Sequence, residues 1–229
     1  MAVPAGLAGI DGAPVRSIDV ARLVAWVSGA ESTSVDVTVD RVKAHDGVCA
    51  AALGVGETPL PNRFGQVFTD DDAAREAIAT RRSPLETRLA RVAGCVELRM
   101  IVTRGRAEEA GGIGDPPNRL ANVDGGPDAT ALEGPGTAFL RRLAGAGRAD
   151  IAREVGCEDA RHAVREAARG LLVDHQPCEA ARGVSFFPVL VRRESVDEFR
   201  AVVMNILLSQ RIDLSVLGPF APYSFAGDA

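Results

Sequence analysis

The C-terminal run Gly218–Phe225 is the sequence feature that most restricts how this chain folds. It places two prolines and three aromatic residues within eight positions, including the only tyrosine of a chain that is 4% aromatic. Chain ends are usually polar and frayed, whereas this one is stiffened by proline and carries large apolar rings. The run therefore predicts a tail that docks, either back onto its own domain or onto a partner.

Composition restricts the class of protein. The chain has 229 residues, 46% of them apolar and 25% charged, which is typical of a soluble globular protein with one large domain or two small ones. The net charge of −5 argues against general nucleic-acid binding. No apolar run approaches the roughly 18–20 residues of a membrane helix, and the first residues lack the features of an export signal. We therefore expect a cytoplasmic protein that binds neither nucleic acid nor membranes.

The residues that bind metals show no clustered pattern. The four cysteines lack any Cys-x-x-Cys spacing and the three histidines are scattered, so we expect reduced thiols, no metal site and no cofactor. The acidic run Asp70–Asp72 follows Thr69 and is typical of a helix N-terminus, where a threonine caps and carboxylates face the helix dipole. We interpret this acidic run as capping rather than metal binding.

Local patterns in the first hundred residues predict both helices and strands. Strand candidates are Val15–Ile18, Leu23–Val27, Leu60–Phe68 and Val96–Val102, the second of which is equally compatible with a short helix. Helices are predicted over 39–53, after Thr69, and after Ser83, where a serine, a proline and Glu86 form a capping box. This mixture of elements indicates an α+β unit.

A change in amino-acid composition separates the two halves of the sequence. Residues 105–136 are rich in glycine and proline and carry almost no periodic apolar pattern, which is typical of a linker or long surface loop. Beyond them we predict helices near 137–143, 159–172 and after Ser195, with strands over 184–191 and 212–217. The sequence thus predicts an α+β protein of two small mixed domains, 1–104 and 137–229, joined by the linker 105–136. In each domain a short sheet would have helices packed on it, ferredoxin-like in style.

The sequence has few motifs that are typical of catalytic or phosphate-binding sites. The sequence has no Walker-type phosphate loop and no serine in a nucleophile elbow. Glu97 is the one acidic residue in an otherwise apolar strand, and a buried carboxylate needs a cationic partner, for which Arg63 is the obvious candidate. We favour a structural ion pair or an exposed strand face for Glu97 over a role in acid–base catalysis. We expect no catalytic residue.

The string Pro59–Phe68 combines with the tail into a recognisable pattern. Pro61-Asn62-Arg63-Phe64-Gly65 is followed by a valine–phenylalanine pair and an acidic helix start, and Gly94–Arg99, Gly136–Leu140 and Phe187–Val191 follow in order before the tail. This ordered set of strings resembles the gas vesicle protein F/L family. The resemblance implies a non-enzymatic accessory or minor structural protein of gas vesicles, which binds the apolar shell protein and supports assembly.

The resemblance also implies where partners bind. The gas vesicle shell protein, and further gas vesicle accessory proteins, would be the partners, and the protein would be found with the vesicle or in the cytoplasm. Candidates for partner binding or tail docking are Arg63, Phe64, Phe220, Tyr223 and Phe225, since aromatic clusters tend to dominate interface energies. The same three tail rings could instead cap the sheet of their own domain. A different class, a small-molecule-binding protein or enzyme with a cleft between two α+β domains, would rely on Arg63, Glu97 and His45.

Overall fold

The computed structural model describes residues 2–103, 156–181, 184–210 and 213–227.

An antiparallel hairpin is the first pair of strands in the fold. Strands β1 (Val15–Val20) and β2 (Leu23–Ser28) pair antiparallel around a two-residue turn, in which Ala21 has a positive φ of 56°. Both predicted strands are confirmed, the second being a strand rather than a helix, and together they form a hairpin.

Three helices follow the hairpin. Helix α1 (Val39–Gly54) begins after Thr38, whose hydroxyl accepts a hydrogen bond from the Arg41 N–H at 3.3 Å. Helix α2 (Asp71–Thr80) is capped by Asp70, whose carboxylate accepts from the Ala73 N–H at 2.7 Å. The predicted cap, Thr69, lies one position too early, because the carboxylate of Asp70 reaches the free N–H groups of the first turn.

The third helix does not have the predicted cap. Helix α3 (Arg82–Val92) starts almost directly after α2, so Ser83 lies within its first turn and no side chain caps it. Glu86 forms an ion pair with Arg82 at 2.8 Å instead of completing a capping box. The helix itself is confirmed, and Gly94, with a φ of +70°, follows its end as predicted.

The predicted strand Leu60–Phe68 is wrong. Its residues are irregular, and the Gln66 N–H donates to the Arg63 carbonyl at 3.4 Å in a turn. Gly65 has a φ of +80°, a conformation that interrupts extended backbone and that glycine adopts without strain. Pro61 has no N–H and so removes a further donor from any strand ladder.

The remaining strands form one five-stranded antiparallel sheet. They are β3 (Cys95–Thr103), β4 (Leu172–His175), β5 (Glu179–Ala181), β6 (Val184–Arg192) and β7 (Asp213–Phe220). The order is β4-β6-β3-β7, with β5 also paired to β6. Because β3 lies between β6 and β7, its side chains have neighbours on both sides.

The main core lies on one face of this sheet. Helix α4, residues 156–167, and helix α5 (Val196–Gln210) cover that face. Their buried residues pack against alternate residues of β3 and β6, and the central members are Leu98, Met100, Phe187, Val164, Phe199 and Val203. Period-two alternation in the strands and a helical stripe in α5 produce this layer, as the sequence pattern predicts.

The α+β class is confirmed, while the division into two domains stays a prediction. Strand β3 comes from the first predicted domain, yet it pairs with β6 and β7 of the second half. Strand pairing therefore joins Cys95–Thr103 to the sheet that the later residues build. The predicted linker 105–136 and the helix near 137–143 lie outside the described residues.

A disulfide contradicts the expectation of reduced thiols. Cys157 at the start of α4 is bonded to Cys178, which follows β4, with the two Cα atoms 6.1 Å apart. The two positions are 21 residues apart in sequence and have no motif spacing, so only the fold reveals their proximity. Cys49 and Cys95 are free and buried. None of the described helices has the length and apolar character needed to cross a membrane.

Candidate functional site: the docked tail and its cavity

Glu97 holds the C-terminal tail on the second face of the sheet. Its carboxylate accepts hydrogen bonds from the Ser224 N–H at 2.7 Å and from the Ser224 hydroxyl at 3.0 Å. Arg99 donates to the same carboxylate at 3.1 Å. Glu97 has no exposed surface, so these contacts supply the hydrogen bonds that a buried carboxylate requires. The expected partner, Arg63, is not the one found, because Arg63 lies in the irregular segment and its side chain points to the surface.

A bulge in β7 brings the tail to Glu97. The register of β3 and β7 shifts between Glu97 and Arg99, where Gly218 and Pro219 lie opposite a single residue of β3. Gly218 has a φ of +114°, and a Cβ atom there would lie 2.8 Å from the Glu97 carbonyl oxygen. Only glycine fits this approach without displacement. The bulge lets the chain turn into the short helix α6 (Tyr223–Ala226) above the sheet.

Phe225 fixes the tail in the chain's own core. The ring is 1% exposed and lies in a cluster with Val92, Cys95 and Leu190, against which Leu60 also packs. Of the five candidate residues, Phe225 is the one whose ring is buried among residues of its own chain. In this conformation it has almost no surface for a partner.

Tyr223 connects the tail to α1. Its hydroxyl donates to the Asp46 carboxylate at 3.1 Å. Burial and the neighbouring Cys49 thiol raise the pKa of Tyr223 well above its ordinary value, so the phenol stays a neutral donor. Burial also raises the pKa of the Cys49 thiol, which leaves it protonated and a weak nucleophile.

The other four predicted residues line one cavity. Arg63, Phe64, Phe220 and Tyr223 surround a space of about 460 Å³, together with side chains of α1 and Arg99 of β3. The His45 ring meets Phe64 edge to face, with ring centres 5.8 Å apart, and lies 6.4 Å from the Tyr223 ring. The fold therefore brings together aromatic rings from three distant segments, although the sequence could only suggest that each was unusual.

Arg99 forms the floor of this cavity. Its guanidinium lies 5.4 Å from the Phe186 ring centre and 5.8 Å from that of Phe220. Such contacts stabilise a cation by about 0.5–2 kcal/mol. Arg99 thus links the ring of Phe220 to the carboxylate that holds the tail.

The polar groups at the cavity are incompletely paired. Among the described residues, the buried Nε2 of His45 and the buried Nε of Arg99 have no hydrogen-bond partner. Lys43 and Arg63 also line the cavity, and neither forms an ion pair within the described parts of the chain. The cavity therefore combines apolar rings with unneutralised positive charge.

Sequence reasoning missed several residues of this site. Arg99 and Ser224 carried no signal, since an arginine on a strand and a serine in a tail are ordinary. Asp46 and Lys43 lie on α1. The apolar pattern of this helix indicates which face is buried, but it does not indicate which residues contact the opposite, polar face. For His45 the sequence suggests a place in a cleft between two domains, together with Arg63 and Glu97. The structure instead places His45 and Arg63 at the cavity and occupies the carboxylate of Glu97 with the tail.

A second cavity of about 600 Å³ lies between the hairpin and helices α1 to α3. None of the five predicted residues lines it. Trp26 does, and its buried Nε1 has no hydrogen-bond partner among the described residues. Across the same residues, no group of three His, Cys, Asp or Glu side chains could hold a metal ion.

The fold and the site together define an α+β protein that presents aromatic and basic side chains beside a docked tail. A family model described as gas vesicle synthesis protein GvpL/GvpF matches residues 2–227. The chain therefore belongs to the GvpL/GvpF family of gas vesicle proteins, as its resemblance to the F/L family predicts.

Individual relatives agree with this assignment. Gas vesicle protein F of Streptomyces sp. (strain CB03234) is 31% identical over 221 residues, which cover 93% of this chain and 87% of the relative. Gas vesicle protein L of the same strain is 29% identical over 251 residues, covering 99% and 88%.

Two crystal structures share the fold. GvpF from Anabaena sp. PCC7120 matches with a TM-score of 0.68 at 17% identity, over 97% of this chain and 90% of that one. GvpF from Microcystis aeruginosa matches with a TM-score of 0.67 at 18% identity, over 99% and 95%.

Proposed function

We propose that this protein is a non-enzymatic gas vesicle accessory or minor structural protein that binds the shell protein and supports vesicle assembly. The observation that carries the proposal is the grouping of Phe64, Phe220 and Tyr223 around one cavity, in a chain of the GvpL/GvpF family. Rings that are partly exposed and grouped in this way are typical of interface anchors. The protein would work in the cytoplasm and at the vesicle itself.

The apolar surface of the shell protein is the physical reason why it would need such a binding partner. A shell subunit that must keep liquid water out of a gas space presents a strongly apolar surface, which aggregates unless it is covered until assembly. A surface that combines rings with arginine can cover such a subunit and release it later. Further gas vesicle accessory proteins are candidate partners on the same grounds.

The alternative of a small-molecule enzyme has less support. It requires Glu97 as a free acid or base beside Arg63 and His45. Glu97 is fully buried and its carboxylate is hydrogen-bonded to Ser224 and Arg99. An acid–base step by Glu97 would therefore have to break the contacts that hold the tail.

Co-expression with the shell protein tests the proposal. The wild-type chain, Phe64→Ala/Phe220→Ala and the control Met204→Ala are each co-expressed with tagged shell subunit and purified by the tag. Met204 is 56% exposed on α5, away from the cavity. We expect the wild type and the control to co-purify with the shell subunit. The double variant should largely fail to co-purify, while its circular dichroism spectrum stays unchanged.

Two results would contradict the proposal. One is a folded wild-type chain that never co-purifies with the shell subunit. The other is a double variant that co-purifies as well as the control. Phe225 is left unchanged in this experiment, because its ring lies in the core and its loss would test folding instead.

A further inference from the structure

The positive charge at the cavity is unusual for this chain. Most of the described arginines face a carboxylate or a backbone carbonyl, as Arg16, Arg41, Arg75, Arg82, Arg91, Arg161, Arg193 and Arg200 do. Lys43 and Arg63 do not, although the chain as a whole has a net charge of −5. Two cations that form no ion pair within the described residues thus face the same space in an acidic protein.

The balance of charge at the lining is positive. Lys43, Arg63 and Arg99 contribute three positive charges, and Asp46 contributes one negative charge. Glu97 lies behind Arg99 and offsets part of that charge. Asp46 accepts a hydrogen bond from the neutral Tyr223 hydroxyl and keeps its negative charge, but it forms no ion pair with Lys43 or Arg63 among the described residues, so the balance stays positive. The field inside the cavity therefore favours an anion.

The apolar part of the lining restricts which anion fits. Phe64, Phe220 and Tyr223 present rings on the walls, with the His45 ring between two of them. A space of about 460 Å³ lies in the range of sites that enclose a small ligand or a few side chains. A bare inorganic ion would leave these rings without contacts, whereas a carboxylate next to an apolar side chain uses both parts of the lining.

We propose that the cavity binds a peptide segment of the partner in which an acidic residue lies beside an apolar or aromatic one. The carboxylate pairs with Lys43 and Arg63, and the apolar side chain lies between the rings of Phe64 and Phe220. The unpartnered Nε of Arg99 provides a further donor once the side chains adjust to the segment, and Nε2 of His45 does so in the tautomer that has its hydrogen there. This inference rests on the proposed function, in which the partner is the gas vesicle shell protein, and adds the chemistry of the segment that is recognised.

The test uses overlapping synthetic peptides that cover the shell subunit. Each peptide with Asp or Glu is also made with Asn or Gln at that position, and inorganic phosphate is a separate probe. Binding to the full chain is measured by isothermal titration calorimetry at low and at physiological salt. We expect an acidic peptide to bind, its amide counterpart to bind about tenfold more weakly, and added salt to weaken the acidic peptide more.

Variants of the two cations complete the test. Lys43→Gln/Arg63→Gln is compared with Arg192→Gln, an exposed arginine on β6 that does not line the cavity. We expect the double variant to lose about tenfold in affinity for the acidic peptide while its thermal midpoint stays unchanged, and the control to bind like wild type. Equal binding by the double variant would overturn the inference, as would phosphate that binds as tightly as the peptide and displaces it.

The two proposals fail in different ways. Suppose that Phe64→Ala/Phe220→Ala loses the shell subunit while Lys43→Gln/Arg63→Gln retains it. The shell-binding function then stands, and the acidic segment is ruled out. Suppose instead that the shell subunit never co-purifies but an acidic peptide binds through the two cations. The cavity chemistry then stands, and the assignment of the shell protein as partner is wrong.

Discussion

Glu97 and Ser224 lie 127 positions apart in sequence, yet the buried carboxylate of one accepts two hydrogen bonds from the other. The contact joins the central strand of the sheet to the tail. It places Phe225 in the core and Tyr223 at the cavity, so the shape of the proposed binding surface depends on it.

Glu97→Ala should therefore release the tail. Removal of the carboxylate leaves the Ser224 N–H without its acceptor and Arg99 without its anion, and breaking a buried pair from one side costs about 3–5 kcal/mol. We expect a lower free energy of unfolding in urea and faster cleavage of the C-terminal residues by carboxypeptidase. Glu198→Gln, on the exposed side of α5, is the matched control and should behave like wild type. A Glu97→Ala protein with unchanged urea midpoint would contradict the role assigned to this carboxylate.

Gly218→Ala should disturb the bulge that turns the chain into the tail. The residue has a φ of +114°, and its Cβ would lie 2.8 Å from a backbone oxygen of Glu97, so backbone must shift. We expect a loss of about 2 kcal/mol or more in the free energy of unfolding, measured by thermal or urea denaturation. Gly54→Ala at the end of α1, where the new methyl meets nothing within 4 Å, should change it by less than about 1 kcal/mol. Equal effects of the two substitutions would count against a special requirement at 218.

Stability near the disulfide should fall in mild acid because of His175. Its Nδ1 lies 3.1 Å from Nη1 of Arg161, which can only donate, so the ring accepts and is neutral. Burial, Arg161 and Arg165 lower the pKa of His175 below its ordinary 6.5, against the opposing effect of Asp174 and Glu158. The folded state then binds fewer protons than the unfolded state, so the stabilisation is present above about pH 6.5 and is lost as the pH falls below it.

The measurement is the urea midpoint between pH 7.5 and pH 5. Because His175 is only partly buried, we expect its contribution to be below about 1 kcal/mol. His175→Gln should flatten that part of the pH profile, while His162→Gln on the exposed side of α4 should not. Identical profiles for wild type and His175→Gln would exclude this histidine as the cause. Below pH 4.5 a second loss is expected in both proteins, since the hydrogen bond from Arg161 lowers the pKa of Glu158.

Reducing agent should destabilise the protein through the bond between Cys157 and Cys178. Closing a loop of 21 residues stabilises a fold by about 3 kcal/mol, chiefly by restricting the unfolded chain. We expect the urea midpoint of the wild type to fall in dithiothreitol, and that of Cys157→Ser/Cys178→Ser to be low with or without it. A wild-type midpoint that does not respond to reductant would mean that the two thiols are not bonded in solution.

Periodic patterns predicted the regular elements of this fold. Alternation in Val96–Val102 and the phenylalanine-rich apolar run Val184–Val191 indicated strands, and both lie at the centre of the sheet. The density of rings and prolines in Gly218–Phe225 indicated docking, and Phe225 is buried in its own chain. These signals are local. In a strand that is buried on one face, apolar residues recur at every second position, whichever strand it pairs with.

The partnerships between distant segments could not be predicted in the same way. Arg63 was the natural cation for Glu97, but the register of β3 and the bulge at Gly218 decide instead that Arg99 and Ser224 meet it. The irregular segment 60–68 has apolar residues like a strand, but Gly65 and Pro61 prevent a ladder. Cys157 and Cys178 meet because the fold brings residue 157 of α4 beside the segment after β4, where the Cys178 N–H also donates to Glu158, and no spacing in the sequence encodes this.

The position of Ser224 has a consequence during protein synthesis. The ribosome makes β3 more than a hundred residues before Ser224, so Glu97 has Arg99 beside it but lacks both hydrogen bonds from Ser224 until that segment emerges. The aromatic surface is incomplete for the same period, since Phe220 and Tyr223 arrive together with Ser224. A newly made molecule thus gains its proposed capacity to hold a partner only after this segment has emerged and docked on the sheet.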